Sequence, residues 1–555
     1  MTMNALLCAL LAFPFSIRAR KPNLIYFLAD DLGYGELSPY GQKRILTPRL
    51  QKFADEGTVF TDAYAGAPIC TPSRTTLLTG RTLGASPLKS NRGTPCGPVA
   101  GIKYYGSATE QPGLQPEKTC DAPIVVAQGQ DTLPALLRAQ GYRTAHVGKW
   151  MIGENRSVST PAQLGFEYSF GTLDGANGWN YYPPWQFLHN ASAPAGAPEA
   201  AGHQMVALAD NGDQFAPTGQ PWLCRGVFNA SGHACAYNQD LYAEHAMAFI
   251  REHRDAPIFL YFAFHIPHAD CGFDGNASAE AAGWGQPTDS DAPYSDKDWP
   301  HAERNHAAMI SHMDGIVGDV VDLVDSLGLA NDTLFLFTSD NGASNQGGHS
   351  YQYFDDSGPL RGAKGCTWEG GFREPWLIRW PGHVPAGRRS AVPWAAYDVL
   401  PTLLEAAGAP ASAVPSGVQG QSVLDLFLGK NNDNDNDRDP PPPRLLYWKF
   451  GLGCKGVAEY NPPHRYPSCC DYAFAARQGD WKVRWWSNPS VPVQLYDLAN
   501  DLHEDTNVYA AHKDAADAIM KEARATYDVA NPFWPDTPCT TTGTTPLKGP
   551  CEGED

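Results

Sequence analysis

Four short runs, Asn23 to Ala29, Thr144 to Val147, Pro257 to Phe264 and Thr333 to Thr338, contain no Asp, Glu, Lys or Arg and are dominated by β-branched and aromatic residues. Runs this short and this uniformly apolar read as strands buried on both faces, the pattern of a parallel sheet. Helical periodicity fills stretches between them, at Thr132 to Gln140 and Ala307 to Leu327, and this alternation predicts an α/β fold. Polar residues mark the ends of the runs. Asp30-Asp31, Lys149, His268 and Asp340-Asn341 each come just after one of the four. Ligands of open α/β sheets bind beyond the carboxyl ends of the strands, so these distant segments are expected to converge.

A second constraint is the segment I-C-T-P-S-R-T-T-L-L-T-G-R at 69 to 81. Pro72 suits a first helical position and Thr71 a cap, which sets Cys70 one step before the helix, facing its amide groups, with Arg74 one turn on. Taken alone, such a cysteine reads as buried or disulfide-bonded. Asp30, Asp31, Asp340 and Asn341 offer three carboxylates and an amide oxygen, the hard ligands that calcium or magnesium takes, with no histidine in the set. A lone Asp-Asp pair is more often a turn or cap than a metal site; two pairs at strand ends change that balance.

The Cys70 segment resembles the signature of the type I sulfatases, in the alkaline phosphatase superfamily. Further segments agree in order: N-L-I-Y-F-L-A-D-D-L-G-Y-G-E at 23 to 36, T-P-R-L at 47 to 50, G-Y-R-T-A-H-V-G-K-W at 141 to 150 and F-H-I-P-H at 264 to 268. T-S-D-N-G at 338 to 342, G-P-L-R-G-A-K-G at 358 to 365, E-G-G-F-R-E-P at 369 to 375 and L-Y-D-L at 495 to 498 complete the series. The resemblance implies a large mixed, mostly parallel sheet flanked by helices, alkaline-phosphatase-like, with a smaller C-terminal antiparallel sheet and helix. It implies that a formylglycine-generating enzyme oxidises Cys70 to formylglycine. One hydroxyl of the aldehyde hydrate then attacks sulfur, and the other expels sulfate by collapse back to the aldehyde. By the same resemblance Arg74 steadies the hydrate, Lys149 and Lys364 neutralise sulfate oxygens, and His268 protonates the departing alcohol. Asp30, Asp31, Asp340, Asn341 and the modified Cys70 would hold the metal, usually calcium, with magnesium compatible.

The expected activity is hydrolysis of an aryl or carbohydrate sulfate ester. Two alternatives stand beside it: a phosphonate or phosphate ester hydrolase of the same superfamily, and a catalytically impaired homologue that binds sulfated glycan. One departure motivates the second. The family usually reads Gly-Lys-Trp-His-Leu-Gly, and here Met151 takes the place of the histidine. Loss of one general acid or base costs about 10²–10⁴ in rate, which predicts a slow or differently tuned enzyme. His146, within a strand, and His349, in a loop, are assigned no compensating role.

Composition bounds the partners. The net charge of −19 disfavours nucleic acid and anionic membrane, yet a local pocket of Arg74, Lys149 and Lys364 attracts an anion because near charges outweigh screened distant ones. The apolar start, Met1 to Phe15, is too short to span a bilayer and reads as a signal peptide. Sequons at Asn155, Asn190, Asn229, Asn276 and Asn331 and a total of 13 cysteines agree with the secretory pathway, secreted or lumenal, with disulfides. The expected organisation is a signal peptide at 1–20, a catalytic domain at 21–430, a low-complexity linker at 431–443, a small subdomain at 444–530 and a Cys-containing tail at 531–555. In the subdomain, Ala475 to Trp486 and Val493 to Asp497 read as strands and His512 to Asp528 as a helix. Residues 82 to 130 and 171 to 235 read as long loops, with Trp179, Tyr181, Tyr182 and Trp185 as aromatics that either hold those loops down by packing, at least as common an arrangement, or stack on a substrate ring.

Overall fold

The structure, a computed structural model, describes residues 20–86, 88, 91, 131–153, 159–173, 181–182, 185–193, 204–207, 236–270, 277–430, 443–450, 473–487 and 489–527. The signal-like start, the linker, the C-terminal tail and most cysteines lie outside them.

The four apolar runs form strands β1 (Asn23–Ala29), β4 (Arg143–Lys149), β8 (Ile258–Ala263) and β9 (Thr333–Ser339). With β2 (Thr58–Phe60), β5 (Tyr168–Thr172), β6 (Trp185–Asn190), β7 (Gln204–Ala207), β10 (Trp376–Arg379) and β11 (Arg388–Ser390) they make one 10-stranded sheet in the order β11-β2-β10-β9-β1-β8-β4-β5-β6-β7. The centre, from β9 to β5, is parallel, whereas β10, β6 and β7 pair antiparallel toward the edges. Period-two alternation splits the core between the faces. Ile25, Phe27, Leu260, Phe262, Phe335 and Phe337 pack on one side against α1 (Pro48–Asp55), α4 (Asn238–Glu252) and α5 (His301–Ser326). Leu24, Tyr26, Phe259, Tyr261, Leu334 and Leu336 pack on the other, against α2 (Cys70–Thr79), α3 (Leu133–Ala139) and α6 (Val399–Ala406). Burial on both faces is why these strands carry no polar alternation. A short pair, β3 (Ala63–Tyr64) with β12 (Trp394–Ala395), runs alongside.

A separate antiparallel sheet, β13 (Leu445–Phe450), β14 (Ala473–Gln478), β15 (Trp481–Trp486) and β16 (Gln494–Asp497), covers one face with α7 (Lys513–Tyr527). The stretch Ala475 to Trp486, expected as strand, turns back on itself at Gly479, whose φ of 61° suits glycine, so it is a hairpin. The other face packs Leu446, Trp448 and Ala475 on Tyr64, Phe372 and Tyr397 of the large unit. Lys482, fully buried, lies 2.9 Å from both Glu369 and Glu504 and pins the two sheets together. Among the described residues no helix is long and apolar enough to cross a membrane.

Candidate active site

The carboxyl ends of β1, β4 and β9 deliver Asp30, Lys149 and Asp340 to one buried point, and the turn after β8 adds His268. Parallel register makes this unavoidable: Ala29 is level with Ser339 on β9, and Gly148 with Ala263 on β8. Gly148 has a φ of 106°, and a Cβ there would lie 1.8 Å from the Ala263 carbonyl oxygen, so only glycine allows β4 to close on β8 just before Lys149.

Cys70 is the first residue of α2, with Ile69 rather than Thr71 as its N-cap and Pro72 two positions inside. The helix therefore starts earlier than the proline suggests, and the Thr71 amide is engaged by Asn91 Oδ1 at 2.9 Å. Cys70 Sγ lies 3.6 Å from Asp30 Oδ1, 4.0 Å from Asp31 Oδ1 and 3.8 Å from Lys149 Nζ. Burial pushes its thiol well above the usual range, outweighing Lys149 and Lys364.

Each carboxylate has its own cation. Lys149 Nζ donates to Asp30 Oδ2 at 2.5 Å, and Lys364 Nζ to Asp31 Oδ2 at 2.9 Å. Arg74 donates to Asp340 Oδ2 from Nε at 2.9 Å and from Nη2 at 2.7 Å, to the Lys149 carbonyl from Nη1 at 2.9 Å, and reaches Asp30 Oδ1 at 3.4 Å. Asn341 Nδ2 donates to Asp31 Oδ1 at 2.8 Å, while its Oδ1 is buried without a hydrogen-bond partner. His268 Nε2 sits 3.3 Å from Lys364 Nζ and 3.6 Å from Asp31 Oδ2; its Nδ1 faces the Ala269 carbonyl at 2.7 Å. Burial alone would lower its pKa, but the Asp31 carboxylate raises it above the ordinary histidine value. Donor atoms of Asp30, Asp31, Cys70 and His268 all lie within 4.8 Å of one another, a grouping able to hold a metal ion. All nine residues singled out from the sequence thus meet, and His268 joins an acidic cluster that the sequence predicts without histidine.

The chain matches the Sulfatase family over residues 22–409 and the N-sulphoglucosamine sulphohydrolase C-terminal family over 363–526. The chain belongs to the sulfatase family. It is 30% identical to steryl-sulfatase of Mus musculus over 91% of this chain and 82% of that protein. It is 29% identical to arylsulfatase A of Homo sapiens over 91% and 86%. The solved structure of Ps i-CgsB with k-i-k-neocarrahexaose superposes with a TM-score of 0.66 at 25% identity, covering 93% of this chain and 95% of that one. The sulfatase is a sulfuric ester hydrolase, and its mixed sheet with a smaller antiparallel partner is the alkaline-phosphatase-like architecture.

Sequence reasoning missed several supporting groups of the sulfatase. Ser339 Oγ accepts the Leu32 amide at 2.9 Å and donates to the Asn341 carbonyl at 2.9 Å, fixing the two acidic turns to each other. Glu374 is fully buried with neither oxygen hydrogen-bonded, and burial, then Asp340, Glu36 and Asp31, raises its pKa well above the carboxylate range. Both residues stand inside family-like motifs, T-S-D-N-G and E-G-G-F-R-E-P, and that position is the signal that could have found them. Of the two readings of the aromatic cluster, packing holds for Tyr181, which is fully buried; its hydroxyl lies 2.7 Å from the carbonyls of both His265 and His268 and holds that turn in place. Tyr182 is buried as well, whereas Trp179 and the side chain of Trp185 fall outside the described structure. His146 faces Ser169 at 2.9 Å, and His349 is held between Glu303 and Asp356, so neither stands in for the residue at 151. His265, beside Lys149 and Arg74, is kept neutral chiefly by burial.

Proposed function

We propose that this sulfatase uses formylglycine, made from Cys70 by a formylglycine-generating enzyme, and a calcium ion, for which magnesium can substitute, to hydrolyse an aryl or carbohydrate sulfate. The supporting observation is the shell around Cys70 Sγ: Asp30, Asp31 and Lys149 within 4.0 Å of an atom that is a weak hydrogen-bonder. Hydroxyl groups at that position would use every one of those partners. The donor set also fits a hard divalent cation, with buried carboxylates from Asp30, Asp31 and Asp340 and the orphaned Asn341 Oδ1. Charge counting agrees. Arg74, Lys149 and Lys364 balance the three carboxylates, so a bound divalent ion leaves a net positive site suited to a sulfate group.

When bound, the formylglycine hydrate supplies the attacking oxygen and the cation polarises it. The residues do the remaining work. Arg74 bridges Asp340, Asp30 and the Lys149 carbonyl, which fixes the cluster's geometry, while Lys149 and Lys364 present ammonium groups where charge grows on sulfate oxygens. With Nδ1 tied to the Ala269 carbonyl, His268 keeps Nε2 for exchange and delivers a proton to the leaving alcohol. In this reading residues 21–430 form the catalytic domain and 444–530 the subdomain that braces it. The signal-like start and the sequons, of which exposed Asn331 is one, support a secreted or lumenal location.

The test pairs intact mass of the peptide containing Cys70 with parallel assays on an aryl sulfate and an aryl phosphonate. Loss of sulfur at position 70, with sulfate ester turnover abolished in Cys70→Ala, is the expected result. A retained thiol in fully active protein would refute the formylglycine reading, and preference for the phosphonate would overturn the substrate reading.

A further inference from the structure

We propose that Glu36 is a positioning residue for the cation: it holds the turn that presents Asp31, and so sets calcium affinity without touching calcium or substrate. The inference rests on the calcium reading above. Three successive amides of that turn are each taken by a side chain. The Asp31 amide donates to Asp340 Oδ1 at 3.2 Å, the Leu32 amide to Ser339 Oγ at 2.9 Å and the Gly33 amide to Glu36 Oε2 at 2.6 Å. Asp31 itself has a φ of 66°, a left-handed conformation that a residue other than glycine keeps where its surroundings impose it.

Glu36 differs from the other holders in having no second duty. The Asp31 carboxylate is held by Asn341 Nδ2 at 2.8 Å and by Lys364 Nζ at 2.9 Å. On the reading above, Asn341 and Asp340 each give an oxygen to the cation, and Lys364 serves the sulfate. All three are therefore shared with the ion or the substrate, whereas Ser339 and Glu36 are not. Ser339 ends the same strand, β9, that delivers Asp340. Glu36 instead ties the turn to α5 and to the 349–356 loop, neither of which carries a proposed ligand.

The anchor at the far end is rigid. Glu36 Oε1 meets Nε2 of His306 on α5 at 2.6 Å, and the His306 ring stacks on His349 at 3.5 Å between centroids and 9° between planes. His349 is clamped through Nδ1 by Glu303 and through Nε2 by Asp356, each at 2.6 Å. Burial lowers the pKa of His349, but the Asp356 and Glu303 carboxylates outweigh it and raise it to about 10, so this ring is the cation among them. The path then closes on the turn. The Asp356 carbonyl accepts the Gly35 amide at 2.5 Å, and a Cβ on Gly33 would lie 2.4 Å from that same oxygen. Glu36, His306, His349 and Asp356 thus form a buried ring around residues 33–36. Reaching Gly33 with one oxygen and His306 with the other takes the full length of a glutamate side chain.

The experiment measures calcium affinity of the full chain by competition with a fluorescent chelator, beside the urea unfolding midpoint in excess chelator. Glu36→Asp, one methylene shorter, cannot span both partners and should weaken calcium binding at least about tenfold. Glu36→Gln keeps an oxygen for the Gly33 amide and an amide group for His306, whose Nδ1 faces Gln286 Oε1 at 3.3 Å and can donate to it. It should bind calcium within about threefold of wild type. At saturating calcium, Glu36→Asp should keep the wild-type KM for an aryl sulfate. His306→Leu leaves Glu36 without its holder; it should weaken calcium in the same direction and replaces Glu36→Asp if that variant does not fold. Asp31→Asn is the control and should weaken binding through the ion itself. With that control weakened, wild-type calcium affinity in Glu36→Asp and His306→Leu, or equal loss in Glu36→Gln and Glu36→Asp, would overturn the proposal. No calcium binding by the wild-type chain would overturn the cation reading, and the proposal with it.

Discussion

The pairing of Lys149 with Asp30 serves structure and chemistry at once, and a double-mutant cycle separates the two. Lys149→Met replaces the side chain by an apolar one of similar length and leaves Asp30 buried, with only Arg74 Nη2 at 3.4 Å to offset its charge. Removing one member of a buried pair costs about 3–5 kcal/mol, and the residual Arg74 contact sets the expectation near the lower bound. Asp30→Asn added to Lys149→Met removes the stranded charge, so the double variant should sit only about 1–2 kcal/mol below wild type, a coupling of roughly 2 kcal/mol. Stability is read by urea denaturation in chelator, so that a bound cation does not support Asp30. Activity should not track stability. Losing one charge that stabilises the transition state costs about 10²–10³ in kcat, and the double variant should be at least as slow as Lys149→Met. Strict additivity of the stability changes, or recovered turnover in the double variant, would refute the reasoning.

Met151→His should raise kcat on an aryl sulfate by at least about tenfold; Met151 has a φ of 64°, a region histidine enters more readily than most residues, so the backbone does not oppose the change. An unchanged kcat means that another group already fills the role. Chelation should abolish sulfate ester hydrolysis, with calcium restoring it, and Asp31→Asn should raise the calcium needed for half-maximal rate; activity indifferent to chelator would remove the cation from the chemistry. Burial lowers the pKa of His245 to about 4, its ring stacked on Phe170 at 3.5 Å. Because the unfolded state then binds more protons, this contribution is present above pH about 6.5 and lost as pH falls toward 4, up to roughly 3 kcal/mol. Urea midpoints should fall over that window and fall less in His245→Gln; parallel curves for the two proteins would contradict the assignment.

The sheet was legible because strands buried on both faces leave an unbroken apolar run, and all four runs are strands with ends displaced by no more than two residues. Helix α5 was legible only in part. Its apolar period begins at Ala307, but the helix starts at His301, since the first two turns bury Glu303 and His306 against other polar groups and so carry no apolar period. The hairpin at Gly479 was hidden for the opposite reason: Ala475 to Trp486 is β-favouring throughout, and only the left-handed glycine interrupts it. Likewise the start of α2 obeys the backbone rather than the proline, because a proline is tolerated throughout a first turn whose amides lack intrahelical partners.

A sequence can reveal which chemical groups arrive at such a site, since motifs at strand ends are delivered by the register of the sheet. It cannot reveal the ionic partnerships that make burial of six charges tolerable. Arg74, Lys149 and Lys364 read from the sequence as a pocket for a substrate anion, yet each is buried against a named carboxylate, and the cost of dehydrating either charge alone would exceed anything a single contact returns. The pairing therefore has to be in place before any cation or substrate arrives, and it holds Cys70 in a polar shell while the site is formed. Glu36, one turn beyond Asp31, matters on the same physical grounds. Its partners are His306 and a backbone amide rather than a lysine, and His349, stacked on His306, is held between Glu303 and Asp356 with its pKa raised to about 10, so the turn carrying Asp31 is balanced on one side by Lys364 and on the other by a histidine cation.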